Sequence, residues 1–153
     1  MIERKTFGNT FHNSSRVIFG GASLSDGDET KAKNAFGLLR RYGVNHIDSS
    51  VSYGEADASI GKWMEDHRDE FFLAGKIDAR GYREARAELD TSLADLRTDR
   101  FDLLQMHELV RDEDVDTFLD GDGAAGVLME AQKKGMAQHI GVTGHGYEAP
   151  RLL

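Results

Sequence analysis

The feature that most constrains this chain is an alternation, repeated five times, of short apolar runs with longer segments of helical spacing. Residues 16–21 (RVIFGG) read as a buried strand ending in two glycines. Residues 44–47, 71–77, 101–106 and 138–142 repeat that signal. Between the runs the period changes to that of a helix. Ala32, Ala35, Phe36 and Leu39 share one helical face, with N-cap candidates at 26–28 and a stop at Gly43. Residues 58–67 carry Ile60, Trp63, Met64 and His67 at helical spacing, and residues 82–96 carry Ala85, Leu89, Ser92, Leu93 and Leu96. Residues 115–119 and 126–134 predict two helical pieces around a Gly-Asp loop, and residues 147–153 predict the start of another helix. A short hairpin around Gly8-Asn9 precedes the series.

Such alternation predicts right-handed crossovers and a parallel sheet, here within one domain over residues 1–153. Two α/β architectures satisfy it. One is a doubly wound five-stranded sheet. The other is a parallel (β/α)8 TIM-barrel type of which only about the first five βα units are present. A closed barrel takes roughly 250 residues, so in the second case 153 residues make a truncated barrel. The pattern alone leaves both open.

Composition excludes several classes of function. A net charge of −8 argues against a nucleic-acid surface, which needs clustered positive charge. No apolar run approaches the roughly 18 residues of a membrane span, and no signal-peptide pattern opens the chain, so a cytoplasmic protein is expected. With no cysteine, disulfides, thiol catalysis and Cys-ligated zinc are excluded. His46, His107, His139 and His145 lack a ligand spacing, so no metal is expected. The match to G-x-G-x-x-G at 121–126 follows no strand and has Asp120 and Asp122 beside it, and it reads as a loop.

Polar residues fall at the ends of the apolar runs. Asp48 closes the second, Lys76 the third and His107 the fourth, while Thr143 follows the fifth. Tyr53 lies five residues after Asp48, in a strand-to-helix loop. In a parallel barrel all of these face the C-terminal mouth, where active sites are built. A lysine closing an apolar strand needs a partner, and Asp48 on the adjacent strand is the natural one. A phenol is a poor acid at neutral pH. An ammonium roughly 4 Å from a phenolate, at an effective dielectric near 20, stabilises it by about 4 kcal/mol. A Tyr–Lys pair therefore suits proton donation to a carbonyl oxygen, with an imidazole to orient that oxygen. A hydride must then reach the carbon, which implies a nicotinamide cofactor.

At these residues the sequence resembles the aldo-keto reductases. The run from Gly43 to Glu55 (GVNHIDSSVSYGE), with Gly61 shortly after, looks like the family signature bearing its Asp and Tyr. FLAGK, ending at Lys76, looks like the strand that carries the Lys, and DLLQMH, ending at His107, like the one that carries the His. The resemblance implies a (β/α)8 barrel that reduces small aldehydes or ketones, with NADPH as cofactor and NADH as the alternative. It implies Tyr53 as general acid, Lys76 as its activator, Asp48 as the partner of Lys76, and His107 as the group orienting the carbonyl. Gly20 and Gly21 would leave room for the cofactor at the first strand end, and Asp48 would also face it. The family commonly has Gly-Val-Ser-Asn after the fifth strand, where this chain reads Gly141-Val142-Thr143-Gly144-His145. Thr143 can replace the Ser, but Gly144 has no amide, so either His145 takes over that contact or the contact is lost. The family's loops for the adenosine phosphate follow the later strands. A second reading, from a different class, is a non-catalytic half-barrel or doubly wound binding domain. A half-barrel's open edges favour self-association or a partner chain.

Overall fold

The computed structural model describes residues 1–147 and 149–152. In chain order the elements are β1 (Arg4–Thr6), β2 (Asn13–Ser15), β3 (Phe19–Gly20), α1 (Glu29–Tyr42), β4 (His46–Asp48), α2 (Ala56–His67) and β5 (Phe72–Ile77). They continue with α3 (Tyr82–Asp95), β6 (Phe101–Met106), α4 (Asp112–Leu119), α5 (Ala124–Lys133), β7 (Ala137–Val142) and α6 (Ala149–Leu152). Glu148 and Leu153, within the stretch predicted as a last helix, lie outside the described residues.

Strand order separates the two architectures. β3 to β7 form one sheet in the order β3-β4-β5-β6-β7, every neighbouring pair parallel. Each right-handed crossover therefore steps in the same direction, which places the helices on one face of the sheet. A doubly wound sheet reverses direction once and carries helices on both faces. The doubly wound reading is thus excluded, and the sheet consists of five βα units of the (β/α)8 type. β3 and β7 are its two edges.

The helices follow from local chemistry. Asp28 caps α1, its Oδ1 accepting from the N–H groups of Thr30 (2.8 Å) and Lys31 (3.0 Å). Gly43 ends α1 at φ 74°, the left-handed conformation glycine adopts without strain. Ala32, Phe36 and Leu39 form its buried face. Helices and sheet share one core that includes Ile47, Ile60, Leu73, Leu89, Leu104 and Met106. Each such side chain contributes roughly 1.5–3 kcal/mol by burial. Gly61 lies where α2 crosses the end of α3, and a Cβ there would run into the carbonyl oxygen of Asp95.

The first apolar run yields less strand than its sequence suggests. Only Phe19 and Gly20 pair with β4, because Ser15 belongs to the hairpin and Val17 and Ile18 are exposed. The expected hairpin is present as antiparallel β1–β2, with its strands a few residues outside the positions predicted. It folds over the N-terminal ends of the sheet strands. Ser15 N donates to Asn45 Oδ1 (2.8 Å), and Ser14 Oγ lies 2.9 Å from His46 Nδ1. The His12 ring stacks on Phe72 at 4.7 Å, and Phe7 meets His46 edge-on at 5.0 Å.

Candidate active site

The C-terminal ends of β4, β5 and β6 carry the polar cluster. Asp48 ends β4 opposite Ala74, which leaves Lys76 two residues further along β5 on the same face. Lys76 Nζ donates to Asp48 Oδ2 at 2.6 Å and to the Ser49 carbonyl at 3.0 Å. Lys76 is only 6% exposed, so this ion pair and carbonyl meet most of its hydrogen-bonding need. Nζ also lies 5.2 Å from the centroid of the Tyr53 ring.

Tyr53 is placed by a tight turn after β4. Its N–H donates to the Ser50 carbonyl (3.0 Å), and its own carbonyl accepts from Ala56 (3.1 Å) at the start of α2. Gly54 follows at φ 57°, and a Cβ there would come within 2.7 Å of the Ser25 carbonyl, so only glycine fits. His107, just past β6, is buried, and its N–H donates to the Ile77 carbonyl (2.9 Å). Its ring meets Tyr53 edge-on, with centroids 5.8 Å apart. The structure therefore brings Asp48, Tyr53, Lys76 and His107 together at one end of the sheet. The concave face below them holds a cavity of about 360 Å³ lined by Gly20, Asp48, Ala74, Leu103 and Gln105 among others.

The candidate cofactor residues divide. Gly20 pairs with Asp48 and is exposed, and a Cβ on it would meet no atom within 4 Å. Gly21 is buried, and a Cβ there would lie 2.7 Å from Ser49 Oγ and 3.1 Å from Ile60, so packing accounts for this glycine. Thr143 Oγ1 accepts from Glu108 N (2.9 Å) and lies 3.5 Å from the Met106 carbonyl. Gly144 is exposed beside Leu109, whose carbonyl would stand 2.9 Å from a Cβ. His145 is exposed and its Nε2 lies 3.2 Å from Glu108 Oε1. Gly20 and Asp48 line the cavity on the concave face, whereas Thr143 and His145 follow β7 at the opposite edge of the sheet.

Sequence reasoning missed two groups. Asp57 on α2 is buried and accepts from Ser49 Oγ and Ser92 Oγ, each at 2.5 Å. Burial pushes its carboxyl up from the ordinary range, against the pull of those two hydroxyls. Nothing in the spacing of 49, 57 and 92 announces this contact. Asp78 lies against His107, with Oδ1 2.8 Å from Nδ1. Here a signal existed, because Asp78 falls two residues after Lys76 and so on the same face. His46, two residues before Asp48 and so on the same face of β4, lines the same cavity from the hairpin end, and burial lowers its imidazole to about 4. Among the described residues no group of three or more His, Asp or Glu could hold a metal ion, and no helix is long and apolar enough to cross a membrane.

Comparison with known proteins identifies the family and the fold. The model of the aldo/keto reductase family matches residues 16–151. Among solved structures, an aldo-keto reductase from Pseudomonas aeruginosa superposes with a TM-score of 0.82 at 21% identity, covering 92% of this chain and 59% of that one. An aldo/keto reductase from Klebsiella pneumoniae, in complex with NADP and acetate, gives 0.76 at 18% identity over 100% of this chain and 53% of its own. A 2,5-diketo-D-gluconic acid reductase B gives 0.72 at 26% identity over 99% and 53%. The chain thus spans between half and three-fifths of the length of these structures. No curated protein matches the sequence.

Proposed function

Because the chain belongs to the aldo/keto reductase family, we propose that its strand-end cluster is the proton-transfer half of a carbonyl reductase. The substrate would be a small aldehyde or ketone, reduced to an alcohol, and the cofactor NADPH, with NADH as the alternative. The observation that carries this reading is the placement of Lys76, paired with Asp48 at 2.6 Å and standing 5.2 Å from the centre of the Tyr53 ring.

Each residue then has a physical task. Tyr53 gives its hydroxyl proton to the carbonyl oxygen and regains one from solvent. Lys76 provides the positive charge that favours a phenolate as that proton leaves. Asp48 holds Lys76 in place and balances it. His107 borders the space beside Tyr53 and orients the carbonyl oxygen. When bound, the nicotinamide supplies the hydride to the carbonyl carbon. Gly20, Asp48, Thr143 and His145 are the residues that would hold its ring; Gly21 and Gly144 leave their neighbours room. Reaction in the cytoplasm suits a chain without cysteine.

The test is Tyr53→Phe. Carbonyl-dependent NADPH oxidation should fall by 10² or more, the scale of a lost general acid, while NADPH binding, read by fluorescence, stays within twofold. Unchanged turnover in that variant refutes the assignment.

One observation favours a second reading, association through the open edges. β3 and β7 end the sheet, and an apolar cleft of about 260 Å³ lined by Phe118, Leu128, Met129, Ile140 and Val142 runs beside β7. Self-association should then appear as a concentration-dependent mass in sedimentation, and a monomer at all concentrations rejects it.

A further inference from the structure

His107 is held from behind by a carboxylate. Asp78 Oδ1 lies 2.8 Å from His107 Nδ1, and Ser50 Oγ donates to the other oxygen, Oδ2, at 3.2 Å. The loop that carries Asp78 is itself fixed. Glu88 on α3 accepts from the N–H groups of both Asp78 (2.7 Å) and Ala79 (2.9 Å). Arg80 donates to the Asp78 carbonyl (2.6 Å) and to the Glu108 carbonyl (2.9 Å), tying the β5 loop to the β6 loop. These contacts leave Asp78 aimed at one ring nitrogen.

We infer that Asp78 is a positioning residue that selects the protonation form His107 presents to a carbonyl. This rests on the reductase reading for its use, but the ring chemistry stands alone. An ionised carboxylate only accepts, so Nδ1 must carry a hydrogen. In the neutral ring Nε2 then offers a lone pair, which cannot bond a carbonyl oxygen. To donate from Nε2 while Nδ1–H stays on Asp78, the ring must hold both protons, and Asp78 is then its counter-charge. The other groups facing the ring are few. Glu108 Oε1 lies 3.9 Å from Nε2, Ser50 Oγ lies 3.5 Å from Nδ1, and the Tyr53 ring meets it edge-on. Glu108 is more than half exposed and also paired with His145, so Asp78 is the closest carboxylate and the better placed. Asp78 therefore selects the ring form in which Nδ1 carries the hydrogen, and a bond from Nε2 to a carbonyl oxygen requires the second proton as well.

The experiment reads the ring directly. The full 153-residue chain, with nitrogen-15 histidine and no added ligand, is examined by long-range proton–nitrogen spectra at a pH where His107 is neutral. In the unsubstituted protein the Nδ1–H tautomer of His107 should exceed the Nε2–H form by about tenfold or more, the scale of one charge-assisted hydrogen bond. In Asp78→Ala the preference should invert, with unrelated resonances unmoved. A dominant Nε2–H form in the unsubstituted protein overturns the inference, as does an unchanged tautomer in Asp78→Ala. If Asp78→Ala does not fold, Asp78→Asn, which keeps the shape, is expected to lower the Nδ1–H share, and an unchanged share overturns the inference. The reductase reading fails separately, through absence of carbonyl-dependent NADPH oxidation whatever the tautomer.

Discussion

The two ends of this sheet each bury a basic side chain, and they treat it in opposite ways. At the C-terminal end Lys76, 6% exposed, meets Asp48 at 2.6 Å. At the N-terminal end His46, 1% exposed, meets the Ser14 hydroxyl and the rings of Phe7 and Phe72. Only the first has an ion partner in hydrogen-bonding contact. Burial without one lowers His46 to about 4, so it stays neutral near neutral pH. The contrast is the reason the charged end is the one proposed to react. The hairpin end sets its histidines among aromatic rings and a hydroxyl, whereas the mouth keeps a charged pair next to a tyrosine.

The largest effect should come from breaking the ion pair on one side. Asp48→Leu leaves Lys76 buried without its counter-charge and should cost about 2–4 kcal/mol in urea unfolding, somewhat under a fully buried pair because the Asp48 side chain is 32% exposed. Adding Lys76→Met to that variant should restore most of the loss, and failure to do so would remove the distinction between the two ends.

Acid tests the hairpin end. An unfolded histidine takes up its proton near pH 6.5 and His46 only near 4, so stability is full above 6.5 and is lost as pH falls toward 4. That window corresponds to about 3 kcal/mol. His12, also lowered by burial, adds to it with the same sign. Asp57, raised by burial, acts in the opposite sense and remains in every variant. His46→Gln should therefore flatten the acid side of the stability profile, measured by urea unfolding between pH 4 and 7.

Smaller effects sharpen the picture at the first strand end. Gly21→Ala, against Ser49 and Ile60, should cost about 1–3 kcal/mol. Gly20→Ala, with nothing within 4 Å, should change stability by about 0.5 kcal/mol or less while weakening NADPH binding. Equal costs would mean that Gly20, too, serves packing.

Much of this was legible in the sequence, and the reason differs between elements. The strand at 72–77 was marked by a largely apolar run because both its faces are buried, whereas 101–106 keeps Asp102 and Gln105 at positions that stay partly exposed. The residues at their ends stood out because a lysine or histidine there breaks such a run. β3 was overestimated because an apolar sequence says nothing about whether a neighbouring strand is present; Val17 and Ile18 are exposed beside an edge. Strand order was invisible, since crossovers of either direction have the same local pattern. Ser49, Asp57 and Ser92 come from three elements, and only the tertiary fold joins them. Asp78 was within reach, from its position two residues after Lys76.

The most direct measurement compares the two ends in one assay. Carbonyl-dependent NADPH oxidation by the 153-residue chain would be followed over a panel of small aldehydes and ketones for the unsubstituted protein, Lys76→Met and His46→Gln. The account predicts that whatever carbonyl-dependent turnover the unsubstituted chain supports falls by 10² or more in Lys76→Met and stays within a few-fold in His46→Gln. Full activity in Lys76→Met, or an equal loss in His46→Gln, would contradict it.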